Sequence, residues 1–396
     1  MHVLTEIMSF LSRSAKVSWQ FNNKNAGVAS IFPVCNPSVA AKHEGGNKLM
    51  NLRNSNSLLF KSNFSLLLIL VFSTVRAADS DCNRTCLEGY VDKYLDAVID
   101  NAPQRLPLAQ NARFTEDAQR LAIGDGLWRT MKGKGSYRLF VTDVKAGQVT
   151  FIGTIQEDHR EANQFTPALI ALRLKVRNQE ITEVEQFVVR SEDAAKRVEA
   201  LGKPHHTFLE TIPKAERMSR KGLIETANKY FTGMQKNDGK GDYPFTDDCN
   251  RIENGMHSTN APTPAGQTRP DPATADVYSG QWGCKEQFQS GLIHFVNRIR
   301  DRRFVAVDRG RGLVFTFVFF DHSGGETRTF VTPAGRQVTA GPVQPWTWQI
   351  AELFKVENGQ IRQIEAILAR SPYGMLSGWS SWEDGMSDKI QDVTMN

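Results

Sequence analysis

Two stretches with apolar residues every three or four positions stand out along the chain. Leu87 to about Asn101 places Leu87, Tyr90, Val91, Tyr94, Leu95 and Val98 on one helical face. Leu223 to about Lys236 does the same with Leu223, Ala227, Tyr230 and Phe231. Each helix is followed by alternating or continuously apolar runs that predict strands: Tyr137–Val141, Gln148–Ile155 and Ala168–Val176, then Phe304–Asp308, Leu313–Asp321 and Trp346–Val356.

The two halves repeat. Residues 174–190 align without gaps on 354–370, with Lys175/Lys355, Val176/Val356, Asn178/Asn358, Ile181/Ile361, Glu185/Glu365 and Arg190/Arg370 identical. Both read as strand, a tight turn at Asn-Gln or Asn-Gly, and strand, because Asn and Gly tolerate the positive φ angles of a two-residue hairpin. Upstream, Phe114-Thr115-Glu116-Asp117 matches Phe245-Thr246-Asp247-Asp248. The expected fold is α+β: two tandem cone-shaped domains, each with helices packed on a curved antiparallel sheet. The domains are set at residues 82–190 and 216–380, joined by a polar helical linker at 191–215. A Pro-, Thr- and Ala-rich loop insertion spans 258–279, and a tail spans 381–396.

Charge changes meaning once its position is considered. The chain of 396 residues has a formal net charge of +5. Residues 1–77 hold eight Lys or Arg against Glu6 and Glu44, which leaves 40 basic against 41 acidic residues in the remainder. A near-neutral body lacks the electrostatic footprint of nucleic-acid binding. Residues 50–77 read as a secretory signal. Met50 is the expected initiator, Arg53 and Lys61 precede the apolar run Phe64–Phe72, and small residues follow to Ala77. The run is too short for a membrane span, so no stable span is expected after cleavage, although a retained signal anchor is the competing reading. A secreted or periplasmic location follows, and it suits the four remaining cysteines as two disulfides, Cys249–Cys284 and Cys82–Cys86. Asn83-Arg84-Thr85 is also an N-glycosylation sequon, meaningful in a eukaryotic host.

A helix followed by Phe-x-x-Asp and a closing strand-Asn-Gly-strand resembles the nuclear-transport-factor-2-like superfamily, which includes polyketide cyclases and ketosteroid isomerases. The segments 244–255, 299–303, 351–356 and 371–379 look like a secreted, mostly uncharacterised branch of it. The resemblance implies a conical pocket for a small hydrophobic molecule, and back-packed repeats that imitate the superfamily's homodimers, with a homodimer of the whole chain also open. In the ketosteroid-isomerase pattern the carboxylate base falls on Glu253 and the hydrogen-bonding tyrosine on Tyr230. By the same count copy one carries Ala122 at the place of Glu253, so chemistry is assigned to copy two.

Cys249, Arg251 and Glu253 share one strand face by period two, where a desolvated Glu253 would act as general base oriented by Arg251 and Tyr230 would donate to an oxyanion. The competing reading is an Arg251–Glu253 salt bridge beside a core tyrosine. Asp321 and His322 could supply an acid or base at the pocket mouth, though a turn cap is the commoner role for Asp321. Trp346 and Trp348 form apolar wall. Glu352, among apolar neighbours, joins Trp346, Trp348 and Asp321 as a substrate-binding candidate; burial of its carboxylate would need a partner, and pairing with one of Arg300–Arg303 is the competing reading. That arginine run otherwise reads as a solvated face. No nucleotide, zinc or Ser-nucleophile motif is present, so no cofactor and no metal are expected. The function expected is a cofactor-independent lyase, isomerase or cyclase acting on a hydrophobic, aromatic small molecule; the alternative is a non-catalytic small-molecule binder. Amino-terminal sequencing of the secreted protein should begin just after Ala77, and an intact 1–77 segment would contradict the cleavage.

Overall fold

The computed structural model describes residues 82–161 and 163–393, so the leader expected at residues 1–77 lies outside the described residues. The first repeat opens with α1 (Arg84–Ile99), whose buried stripe of Leu87, Tyr90, Val91, Tyr94, Leu95 and Val98 is the one its periodicity predicts. There follow β1 (Leu108–Glu116), β2 (Gln119–Arg120), α2 (Leu127–Thr130), β3 (Met131–Asp143), β4 (Gln148–Asp158), β5 (Phe165–Arg177) and β6 (Glu180–Val189). After α3 (Glu192–Ala200), the second repeat runs through α4 (Arg220–Lys236), β7 (Phe245–Glu253), β8 (Met256–His257), α5 (Cys284–Ser290), β9 (Arg298–Asp308) and β10 (Leu313–His322). It continues with β11 (Thr329–Val331), β12 (Gln337–Thr339), β13 (Trp346–Glu357), β14 (Gln360–Ser371), α6 (Trp382–Gly385) and β15 (Ile390–Asp392).

The sheets have the orders β2-β1-β6-β5-β4-β3 and β8-β7-β14-β13-β10-β9-β15. Strand by strand these are one topology, with β15 added at one edge. The sheets are mixed rather than antiparallel as expected. β1 runs parallel to β6 and β7 parallel to β14, because the helix and the strands between them return the chain to its starting edge. Both closing hairpins turn on residues with positive φ, Asn178 and Gln179 at 51° and 62°, Asn358 and Gly359 at 49° and 77°.

Each sheet has one face under its own helix and the other face against the second sheet. On the helix side of the first sheet, Leu87, Val91, Tyr94 and Val98 meet Phe114, Phe151, Ile170 and Leu172. On the second, Leu223, Tyr230 and Phe231 meet Phe304, Val318, Ile350 and Phe354. A third core, with Tyr137, Ile152, Leu169 and Phe187 on one side and Val305, Phe315, Leu353 and Ile367 on the other, lies back to back between the sheets and is flanked by Val198 of α3. The two α+β cones therefore share a spine.

Charges are buried in this spine. Arg303 makes two hydrogen bonds, 2.6 and 2.9 Å, to the Glu185 carboxylate of the first sheet, which also accepts from Arg173 at 3.1 Å. Glu365, the repeat equivalent of Glu185, accepts from the Tyr137 hydroxyl across the same contact. The solvated face expected for residues 298–303 is thus incorrect: Arg300, Arg302 and Arg303 are all buried. The pairing of β9 with β10 slips between Phe317 and Phe319, leaving Asp301 at φ 50° in a bulge, so consecutive arginines reach different interior partners.

The C-terminal segment locks the repeats further. Trp379 stacks against the guanidinium groups of Arg113 and Arg173, 4.2 and 4.5 Å from its ring, and its indole N–H donates to Thr115 at 2.8 Å. The insertion between β8 and α5 is also structured: Trp282 is fully buried with Leu292, Phe330 and Val338, and its indole donates to the Pro270 carbonyl.

Removing Glu185 leaves two guanidinium groups facing each other without their shared anion. Glu185→Gln should lower the denaturant-measured stability by about 3–5 kcal/mol. Glu365→Gln should cost much less at pH 6, because burial pushes the Glu365 carboxyl up to about 7 and it enters the fold largely neutral. Equal losses in the two variants would contradict this picture of the spine.

Candidate functional site

The polar groups inside the second cone converge from four elements. Tyr230 projects from the buried stripe of α4; Cys249, Arg251 and Glu253 occupy one face of β7, as their alternation predicts. The Cys249–Cys284 disulfide, with Cα atoms 5.9 Å apart, ties β7 to α5 and brings Gln287 beside Arg251. Arg251 then donates to the Tyr230 hydroxyl at 3.0 Å, to the Tyr278 hydroxyl at 2.7 Å and to the Gln287 amide oxygen at 2.9 Å. Gln287, fully buried, donates to the Ser258 and Ser279 carbonyls and so fixes the guanidinium against the wall.

Glu352 stands on β13 between Ile350 and Phe354, and strand parity turns it toward α4 with them. It is 1 % exposed, and its Oε2 has no hydrogen-bond partner. Burial, helped by the negative charge of Glu253, pushes its carboxyl up to about 8 against the opposing pull of Arg251 and Tyr230. The partner expected among Arg300–Arg303 is a correction: Arg303 is committed to Glu185, Arg300 to Asp321, and Arg302 to Asn228, Thr232 and Gln235. None is bonded to Glu352. Burial thus outweighs the pull of Arg251 and Tyr230 and favours the neutral form of this carboxyl.

Glu253 is more open, with its side chain 30 % exposed; it accepts from the Ser258 hydroxyl at 2.6 Å and lies 3.5 Å from Arg251 Nε. The pair expected as the competing reading thus exists. It is the outer arm of the same guanidinium that holds Tyr230.

His322, Trp346 and Trp348 form the aromatic end of the cone. The His322 ring stacks on Trp346 at 4.0 Å and lies 6.0 Å from the Phe295 ring, is fully buried, and has no hydrogen-bond partner at either ring nitrogen. Burial drives its pKa down to about 4, so it is a neutral ring at physiological pH. Asp321 points to the opposite face of β10, where it accepts from Arg298, Arg300 and Thr347. Its carboxyl is held below the usual range by those donors, despite burial. It is a buried ion pair and not the turn cap favoured from sequence, because β10 continues through His322.

The copies must be compared by register, and here the sequence expectation fails. Glu116 pairs with Gln186, as Glu253 pairs with Ala366, and the gapless hairpin alignment makes Gln186 the equivalent of Ala366. Glu116, not Ala122, is therefore the counterpart of Glu253. A second pair of contacts agrees: Asp117 Oδ1 accepts from the Val188 amide and Asn254 Oδ1 from the Leu368 amide, at 2.7 and 3.0 Å. In copy one Tyr94 donates to Gln186 at 2.8 Å, Gln186 donates to Glu116, and Glu116 also accepts from Arg190, while Trp128 packs on the Tyr94 ring. Copy two replaces Gln186 by Ala366, Phe114 by Arg251 and Leu172 by Glu352. The first cone closes its polar interior on itself; the second carries an acid with an uncommitted oxygen beside a small side chain.

Tyr278 and Gln287 escaped the sequence reading, since they lie in or beside an aperiodic insertion. The 35-residue spacing of Cys249 and Cys284 was the available signal that α5 returns to β7. Both disulfides form as expected. Among the described residues, no three metal-ligating side chains converge, and no helix is long and apolar enough to cross a membrane.

Residues 216–368 match a family model described as a domain of unknown function (DUF8021). No curated protein matches the chain. Among solved structures, AclR of Streptomyces galilaeus, for which a hydroxylase role is suggested, is similar at 10% identity and a TM-score of 0.23, over 34% of this chain and 92% of that one. A de novo designed protein with a curved β-sheet is similar at 15% identity and TM-score 0.21, covering 38% and 88%. An NTF2-like protein of Burkholderia thailandensis is similar at 17% identity and TM-score 0.20, covering 25% and 88%. At such scores nothing of those proteins' activities transfers to this chain.

A carboxyl raised to about 8 makes stability depend on pH. Between its unfolded value near 4.3 and that figure, the native state holds a proton the unfolded chain releases, so stability falls as pH rises through this window. Glu352→Gln removes the effect. The melting temperature of the variant minus that of the wild type should increase from pH 5 to pH 8; a constant difference would contradict a neutral Glu352.

Proposed function

We propose that the second cone is an acid-base site for a hydrophobic, aromatic small molecule, and that the protein is an exported lyase, isomerase or cyclase that needs no cofactor. The observation that supports this reading is Glu352, whose Oε2 is buried without a hydrogen-bond partner and whose carboxyl is pushed up to about 8, paired across the strands with Ala366 where the other copy has Gln186. Glu352 would deliver or take the proton, in place of Glu253, whose carboxylate is already bonded to Ser258 and reaches solvent. A carboxylic acid kept neutral by an apolar site can donate its proton to a substrate oxygen, and the carboxylate so formed can then take the proton of an adjacent carbon, which restores the acid.

Tyr230, polarised by the Arg251 bond, would stabilise charge developing on the substrate oxygen. Arg251 has Tyr230, Tyr278 and Gln287 as partners, so it serves as a fixed dipole support rather than a clamp for a carboxylate. Trp348, Leu368, Tyr278 and Phe295 are only partly buried where they pack on the core of the second cone, and they would offer apolar surface for the ligand body. His322 and Trp346 would stiffen that surface from behind, and Asp321 would act through the strand it anchors.

Copy one supplies the substitution that tests this reading. Ala366→Gln should fill the site as Gln186 does, and native mass spectrometry of the protein purified from its own host should then lose a co-purifying aromatic molecule that the wild type retains. Once that molecule is known, Glu352→Gln should reduce its turnover about 10²–10⁴-fold. Retention of the ligand by Ala366→Gln, or undiminished turnover by Glu352→Gln, would reject the site.

A further inference from the structure

Asn83 lies far from the cone chemistry. It is the acceptor position of Asn83-Arg84-Thr85, held within the small ring closed by the Cys82–Cys86 disulfide. Asn83 and Thr85 are both exposed, while Arg84 between them turns inward to pair with Asp308 at 2.6 Å. Asn83 is also the N-cap of α1, and the two ends of its amide divide the work. Oδ1 accepts from the Cys86 backbone N–H at 3.0 Å, which satisfies one of the open donors of the helix terminus. Nδ2 is the atom to which a glycan would be joined.

We propose that Asn83 is an N-glycosylation site, carrying an oligosaccharide on Nδ2 while Oδ1 caps the helix. The inference rests on the export reading and is independent of the chemistry assigned to the second cone. The donor class is an oligosaccharide linked to a polyprenyl diphosphate, used by a transferase of the secretory compartment. The bond from sugar C1 to the diphosphate oxygen breaks, the bond from Nδ2 to C1 forms, one amide proton passes to a base of the transferase, and polyprenyl diphosphate leaves. No redox partner is involved.

The transferase reads an extended Asn-x-Thr with the hydroxyl two residues on. In the folded protein Thr85 belongs to the first turn of α1, so transfer must precede closure of the helix and of the disulfide ring. The exposed position then accommodates the product without displacing a packed side chain, and the capping bond survives because it uses the other end of the amide. The same division of labour yields substitutions that remove the acceptor without removing the cap.

The test is production of the full chain by a eukaryotic secreting host, followed by peptide N-glycosidase treatment and mass analysis of the peptide containing residue 83. The wild type should lose mass on treatment, with Asn83 converted to Asp. Asn83→Asp, which retains a capping oxygen, and Thr85→Ala, which retains Asn83 itself, should both be secreted without the shift, and Thr85→Ser should restore it. Secreted wild type with residue 83 entirely unmodified would overturn the proposal while leaving export intact. A glycan found only on another peptide, such as that of Asn63-Phe64-Ser65 in an uncleaved leader, would also overturn it. Protein retained inside the cell and unmodified would overturn both the site and the export on which it rests.

Discussion

The buried contact between Glu185 and the two guanidinium groups of Arg303 and Arg173 constrains everything else in this protein. Charges taken out of water are tolerated only when each finds its counter-charge with good geometry, so this contact disfavours neighbouring registers of the two sheets, which would leave the charges unpaired. That register turns the two helix-covered faces away from each other. Each cone must then be filled or used separately, and the convex backs are not available for a ligand. The Trp379 stack on Arg113 and Arg173 closes the same arrangement from the C-terminal side.

With the scaffold shared, the difference between the cones reduces to a few side chains. The first spends its tyrosine on Gln186 and thereby satisfies Glu116, Arg190 and the turn before α2 in one network. In the second, Ala366 withdraws that partner and Arg251 takes hold of the tyrosine instead. Glu352 is left in surroundings that favour its neutral form. An unpaired buried polar atom costs on the order of 1–3 kcal/mol, a cost more readily tolerated where the atom has something to bind.

Much of this was legible in the sequence because local physics dictated it. The helical stripes of Leu87–Val98 and Leu223–Phe231 needed no tertiary information, and the Asn-Gln and Asn-Gly turns betrayed the repeated hairpin. The pairing of Cys249 with Cys284 followed from loop length and parity of number. What failed was non-local. Matching Phe114 to Phe245 by letter put the first strand six residues out of register: β1 and β7 carry the same irregularity in their pairing, and Leu108 is the true equivalent of Phe245. The turns after those strands, with Asp117 and Ala118 at φ 48° and 68° and Asn254 and Gly255 at 49° and 76°, held the better alignment. The arginines of β9 looked like surface because their anions lie far away in sequence, Glu185 among them. The upward pull on the Glu352 carboxyl comes from burial among residues drawn from several elements, which no window of sequence displays.

The central claim is that the second cone holds a glutamic acid that is protonated at neutral pH and has one carboxyl oxygen without a partner. The most direct measurement is a pH titration of the side-chain carboxyl carbons by 13C NMR, with the Glu352 resonance assigned by its absence from Glu352→Gln. That resonance should titrate near the value of about 8 expected from its burial beside Glu253. Titration in the ordinary glutamate range near pH 4 would mean the group is ionised in the native protein, and the account of the site would fail.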